Sequence, residues 1–336
     1  MNKLPVISLK EAERNNTADS SVTKALREYG FFYLTDHGIS PSLTGEIERL
    51  SKLFFNMSKT EKRAIHMKNA GIAWRGYFEV GAELTAGNPD IKEGLYFGVE
   101  QRKEHPLVQK KTPMHGENQW PESPDLKDFQ RLVTTYQKQM KKLSETLLEI
   151  VGRSLGLKHG YFLERFQKDP TLLFRIFNYP ATSDMKGDYG VGEHTDMGFL
   201  TILRQDHQGG LQVKMPDGSW IDAPPVDDTF VINIGDMLEY WTHGILKATP
   251  HRVKAQTKSD RLSFPFFYDP SWNAPLARIP KEEFSCRVFT EDTYLRSQNQ
   301  KRWDGLDLHE IENKTYGEFV WNKVKNVFPW LADESP

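Results

Sequence analysis

The sequence predicts a mainly β protein with flanking helices and a sandwich or jelly-roll core. From Thr171 onward, short runs of aromatic, aliphatic and β-branched residues are punctuated by Gly, Pro and Asp turns. No helical pattern is interleaved with those runs, so a βαβ repeat around a parallel sheet is not expected. Before residue 171 and after residue 280, several segments, the clearest at 125–155, carry apolar residues every three or four positions, the period of a helix buried on one face.

Residues 1–65 read as strand, helix, strand, helix. Residues 20–29 fit a helix closed by Gly30. Residues 31–34 are all aromatic or aliphatic, as in a buried strand. Pro41 opens a helix through Ile47, Leu50, Leu53 and Phe54, and Glu61 three residues after Ser58 makes a capping box. Residues 70–123 are irregular, with two aromatic stretches, 74–81 and 92–98, flanking the turn-like Gly87-Asn88-Pro89-Asp90. Residues 125–155 form a long helix through Phe129, Val133, Tyr136, Met140, Leu143 and Leu147. Its other face carries Lys127, Lys138, Lys141 and Lys142 and is expected to be solvated. A shorter helix follows at 161–166.

The strands then come in turn: 172–179, the stretch around His194, a hairpin pairing 209–214 with 219–222 across Met215-Pro216-Asp217-Gly218, then 230–234, 246–253 and 261–268. Helices return at 290–296 and 316–327. No repeat, low-complexity tract or linker divides the chain. The expected organisation is an N-terminal region at 1–123 with a substrate-side loop at 70–123, bracing helices at 124–170, the β core at 171–275 and C-terminal helices at 276–336.

Composition narrows the function. The 336 residues are 38% hydrophobic and 27% charged, with 44 Lys plus Arg against 46 Asp plus Glu. A formal net charge of −2 gives no field for nucleic acid or an anionic membrane, and neither is expected as a partner. The one cysteine, Cys286, excludes an intrachain disulfide and a thiolate-rich zinc site, and is expected to be a buried small hydrophobe. No apolar run approaches the ~20 residues that span a bilayer, and Met1-Asn2-Lys3-Leu4-Pro5 lacks a signal peptide's apolar segment. A cytoplasmic monomer acting on a small molecule is the expectation.

The chemistry concentrates in Gly192-Glu193-His194-Thr195-Asp196. In an extended strand, residues i and i+2 share a face, so His194 and Asp196 lean into one space. His251, in Thr249-Pro250-His251-Arg252-Val253, offers a third ligand. Two His and one carboxylate with positions left open suit non-haem Fe(II), with zinc the rival on ligand type alone. Arg261 and Ser263 share a face by the same logic and make a carboxylate clamp, a fork of donors beside a hydroxyl. Met197, Phe199 and Phe267 are candidates for lining a pocket, and Arg252 should face away from it. His243 is expected to be a turn histidine rather than a fourth ligand.

The order His194-Thr195-Asp196, Pro250-His251-Arg252-Val253, Arg261-Leu262-Ser263 resembles that of the isopenicillin-N-synthase-like 2-oxoglutarate- and Fe(II)-dependent oxygenases. Residues 6–9, which resemble the family's opening strand, 30–39, Asn178-Tyr179-Pro180 and 233–236 also match, with Asp36 standing where the family usually has asparagine. The resemblance implies a double-stranded β-helix in which His194, Asp196 and His251 hold Fe(2+). Arg261, Ser263 and Tyr179 would bind the distal carboxylate of 2-oxoglutarate. It further implies O2 as oxidant, ascorbate as activator, and release of succinate and CO2 as a C–H bond is hydroxylated; desaturation and ring closure are variants. The region before the core would line the substrate side, making Arg75 and Tyr77 candidate contacts. The competing readings are an Fe(II) oxidase that takes no 2-oxoglutarate, of the oxidative-cyclase or ethylene-forming type, and a non-catalytic binding protein on the same fold.

Overall fold

The computed structural model describes residues 3–14, 21–165, 169–181, 189–256, 258–285 and 314–334. The expected helix at 290–296, Phe166 and Cys286 lie outside the described residues.

The N-terminal third supplies β1 (Val6–Ser8), α1 (Leu9–Arg14), α2 (Ser21–Glu28), β2 (Phe31–Thr35), α3 (Pro41–Phe55) and α4 (Lys59–Arg63). The first two helices carry the chain from β1 back to lie parallel with β2, Ile7 opposite Leu34. Gly30 closes α2 at φ +69°, where a Cβ would sit 2.2 Å from Thr249 Oγ1. Both hydrogen bonds of the Ser58–Glu61 capping box form at α4. Asp36 has φ +56°, a conformation asparagine and aspartate tolerate, and it accepts a 2.7 Å bond from Ser8 Oγ. Next come β3 (Gly76–Phe78), β4 (Leu84–Thr85), β5 (Asn88–Pro89), β6 (Glu93–Gly98) and α5 (Pro106–Gln109). The 26-residue α6 (Phe129–Ser154) and the short α7 (Tyr161–Arg165) precede the core.

The core strands are β7 (Pro170–Tyr179), β8 (Tyr189–His194), β9 (Leu200–Gln205), β10 (Leu211–Lys214), β11 (Trp220–Asp222), β12 (Phe230–Ile234), β13 (His251–Lys254) and β14 (Arg261–Ser271), with α8 (Asp236–Trp241) between β12 and β13. They form an eight-stranded sheet ordered β1-β2-β12-β9-β14-β7-β6-β3 and a four-stranded sheet ordered β11-β10-β13-β8. Every described pair except β1–β2 is antiparallel. The two sheets enclose a cavity, as in a jelly roll.

Strand alternation sorts β7. Leu173, Arg175, Phe177 and Tyr179 line the cavity, whereas Phe174, buried on the other face, packs on Tyr136 of α6 at 4.9 Å between ring centroids. Thus α6 braces the large sheet from behind. The C-terminal helix Tyr316–Val327, capped by a Thr315–Glu318 box, closes one end of the cavity with Val320, Lys323 and Val327.

Two features depart from the sequence reading. The strand expected over 246–253 forms only from His251, because Pro250 has no N–H for a ladder and the preceding amides bond elsewhere. Ala248 N–H donates to Glu239 Oε2 (3.1 Å) and Ile245 N–H to the Thr242 carbonyl (3.0 Å). These acceptors belong to α8 and the turn after it, a helix too short for its period to show in the sequence.

Candidate active site

The two histidines are brought together by strand register. His194 ends β8, His251 begins β13, and they are direct cross-strand partners with ring centroids 4.2 Å apart. His194 Nδ1 lies 2.8 Å from the Gly192 carbonyl and His251 Nδ1 3.2 Å from the Thr249 carbonyl. A carbonyl only accepts, so each Nδ1 carries the proton and each Nε2 presents a lone pair. Burial lowers both imidazole pKa values, that of His251 to about 4, which keeps both rings in the neutral form a metal needs.

Asp196 reaches the same point by another route. It lies two residues beyond the end of β8, so strand alternation does not aim it. Its Oδ2 accepts hydrogen bonds from Thr201 Oγ1 (2.5 Å) and Asn233 Nδ2 (2.7 Å), and its Oδ1 lies 3.7 Å from His251 Nε2. The loop itself is clasped by the first turn of α8. The N–H groups of Gly235, Asp236 and Met237 donate to the carbonyls of Phe199 (3.0 Å), Asp196 (2.8 Å) and Gly198 (3.1 Å). One potential ligand atom from each of His194, Asp196 and His251 lies within 4.8 Å of the others, the spread of a single metal site.

That clasp leaves no room at Gly235. A Cβ there would sit 2.4 Å from the Gly198 carbonyl oxygen and 2.8 Å from that of Asp196, both main-chain atoms. Gly235→Ala is expected to shift the loop and weaken Fe(II) binding about 10–100-fold, read by anaerobic metal titration. Unchanged affinity would mean the clasp does not position Asp196.

Arg261 and Ser263 line the same cavity from β14. Arg261 is fully buried and lies opposite Tyr179 of β7, whose ring is 4.8 Å from its guanidinium carbon. Its Nη2 makes one long bond to Gln205 Oε1 (3.4 Å), while Nε and Nη1 have no hydrogen-bond partner among the described residues. A buried cation with two unsatisfied donors is costly unless an anion completes it.

The cavity encloses about 390 Å³, and Met197 and Phe267 are in its wall. Arg75, Tyr77 and Phe199 are not brought into it. Arg75 is 2% exposed and donates from Nη2 to the Met114 carbonyl (2.7 Å). Tyr77 donates its hydroxyl to Glu93 Oε2 (2.6 Å), which also pairs with Lys62. Phe199 points into the core against Trp241 and Phe162. His243 sits in a turn at φ +53°, with Nε2 2.8 Å from the Ile279 carbonyl, away from the triad. Arg252 stacks on Trp220 and Tyr189, outside the cavity.

Several charged residues of the wall are absent from the sequence candidates: Glu83, Lys92 and Arg175, and with them Glu193, Asp236, Asp269 and Lys323. Counting back by twos from Tyr179 along β7 reaches Arg175; nothing in the sequence around Glu83 and Lys92 marks them as facing the same space.

Residues 4–123 match the family model described as non-haem dioxygenase in morphine synthesis N-terminal, and residues 170–270 match that of the 2OG-Fe(II) oxygenase superfamily. The chain belongs to the 2OG-Fe(II) oxygenase superfamily. A probable iron/ascorbate oxidoreductase of Dictyostelium discoideum is 41% identical over 98% of this chain and 96% of its own length. A 1-aminocyclopropane-1-carboxylate oxidase of the same organism is 32% identical over 97% of this chain and 95% of its own. The crystal structure of a full-length Neurospora crassa protein in complex with alpha-KG superposes with a TM-score of 0.75 at 26% identity, covering 99% of this chain and 96% of that one. This oxygenase is an oxidoreductase of the 2-oxoglutarate-dependent dioxygenase class, dependent on Fe(II). Its residues fit both groups: two neutral imidazoles and a carboxylate suit Fe(II), and the unsatisfied Arg261 donors suit a carboxylate. No described helix is long and apolar enough to cross a membrane.

Proposed function

We propose that His194, Asp196 and His251 hold Fe(II), that Arg261, Ser263 and Tyr179 anchor the distal carboxylate of 2-oxoglutarate, and that the enzyme hydroxylates a small organic molecule. The observation that carries this reading is one cavity holding both a three-ligand site and a buried guanidinium with two unpartnered donors. Bound iron and 2-oxoglutarate together supply the activation of O2, with succinate and CO2 released. The chain's own residues orient and shield. Thr201 and Asn233 fix the Asp196 carboxylate, the Gly192 and Thr249 carbonyls fix the imidazole tautomers, and Tyr179 covers the Arg261 guanidinium. Met197 and Phe267 face the substrate. Residues 1–123, 124–170, 171–275 and 276–336 act as one catalytic unit, since strands of the first segment lie in the same sheet as those of the core. The proposed setting is a cytoplasmic monomer without nucleic-acid or membrane partners, supported by the near-zero net charge and single cysteine.

The test is succinate formation by the purified protein with Fe(II), ascorbate, O2 and 2-oxoglutarate, alone and with pooled metabolites. Succinate that rises with one pool supports the reading. The likeness to a 1-aminocyclopropane-1-carboxylate oxidase favours a second one, an Fe(II) oxidase that takes no 2-oxoglutarate. Absence of both 2-oxoglutarate binding and succinate would select it.

A further inference from the structure

Beyond Arg261, the cavity holds a second guanidinium whose donors are not taken up. Arg175 is 8% exposed and makes no hydrogen bond with any described residue; its Nε is wholly enclosed. Three rings hold the group in place, with its carbon 4.3 Å from the centroid of Tyr96, 4.7 Å from Phe267 and 4.8 Å from Trp74. Such stacking fixes the plane of the fork but satisfies none of its five N–H groups. Its nearest carboxylate, Glu83, stands 4.0 Å away from Nη1, beyond hydrogen-bond length. Arg175 and Tyr179 face the cavity four residues apart on one strand, so their Cα atoms are separated by about 13 Å. Arg261 sits across from Tyr179. The guanidinium of Arg175 is therefore an anion seat separate from that of the co-substrate.

The neighbouring charges define what accompanies the anion. Lys92 is paired with two carboxylates, its Nζ 2.5 Å from Asp90 Oδ2 and 2.9 Å from Glu83 Oε2. Glu83 Oε1 is the carboxylate atom turned towards Arg175. Glu83, Asp90, Lys92 and Arg175 thus form one contiguous buried group whose formal charges sum to zero. A lone anion would leave this buried group one charge negative, whereas a ligand that also carries an ammonium group keeps it neutral. A neutral acceptor could bond the Arg175 donors but would forgo the charge-assisted strength of a carboxylate.

We infer that Arg175 and Glu83 select the primary substrate, and that it is a zwitterion of the amino-acid class, its carboxylate seated on Arg175 and its ammonium group on Glu83. The inference rests on the oxygenase reading of the cavity. Neither residue touches the metal triad, and both act on specificity.

The test is titration calorimetry on the full chain with Fe(II) and 2-oxoglutarate under anoxic conditions. The probes are L-α-amino acids with aliphatic, basic and acidic side chains, each beside its primary amide and its N-acetyl derivative. At least one free amino acid is expected to bind, with its amide and N-acetyl form at least tenfold weaker. Arg175→Gln should weaken that amino acid at least tenfold and abolish the preference over the amide, and Arg175→Lys should restore part of it. Glu83→Gln should abolish the preference over the N-acetyl form. 2-Oxoglutarate affinity, measured on each variant, should stay as in the unaltered protein and report an intact fold. Equal binding of the blocked forms, no binding by any probe, or an Arg175→Gln variant that discriminates as before would each overturn the inference while leaving the oxygenase reading in place. Failure of the unaltered protein to bind 2-oxoglutarate would overturn the co-substrate assignment, and the inference with it.

Discussion

Asp196→Ala is expected to abolish turnover, with succinate formation falling at least a thousandfold and stoichiometric Fe(II) lost from the purified protein. Asp196 is the only anionic member of the triad, and its side chain is only 11% exposed. Its removal also deprives the Thr201 hydroxyl and the Asn233 amide of their acceptor, at about 1–3 kcal/mol for each buried group left unsatisfied. Iron content by colorimetric chelation and succinate by chromatography, on protein checked for a cooperative thermal transition, separate metal loss from unfolding. A variant that keeps full activity would show that the metal lies elsewhere.

Arg261→Ala should act on a different constant. Removing one partner of a buried, hydrogen-bonded charge pair costs about 2–5 kcal/mol. The lower figure alone is about 30-fold in an equilibrium constant. The apparent KM for 2-oxoglutarate is therefore expected to rise about 30-fold or more, while kcat at saturating co-substrate changes much less and Fe(II) binding not at all. Initial rates across a range of 2-oxoglutarate concentrations check this. An unchanged KM would mean Arg261 serves the fold rather than the co-substrate.

The parts of this site legible in the sequence are those set by strand periodicity. Arg261 and Ser263 lie on β14 and share a face as alternation requires, and His251 opens a strand. His194 and Asp196 are brought together, but not by the alternation their spacing suggests: Asp196 is past the strand, aimed by side chains and amides drawn from β9, β12 and α8. Arg75 and Tyr77 illustrate the limit. Their segment approaches the core, but which side chains turn inward depends on partners such as Met114 and Glu93 that no local pattern specifies. Lys92 and Glu83 are the converse case, ordinary surface types by composition that the fold buries together. The capping box read at Ser58 is written entirely in local sequence and forms.

The placement of β2 has a consequence for synthesis. Residues 31–34, Phe-Phe-Tyr-Leu, are buried between β1 and β12, yet β12 begins at Phe230, roughly 200 residues further along the chain. At about 5–20 residues per second, the ribosome needs about 10–40 s to deliver that partner. For that interval an aromatic strand edge stays open, the kind of surface that templates self-association. Yield should therefore depend on how the nascent chain is sheltered, by lowered growth temperature or added holdase chaperones, more than on the final stability of the folded enzyme.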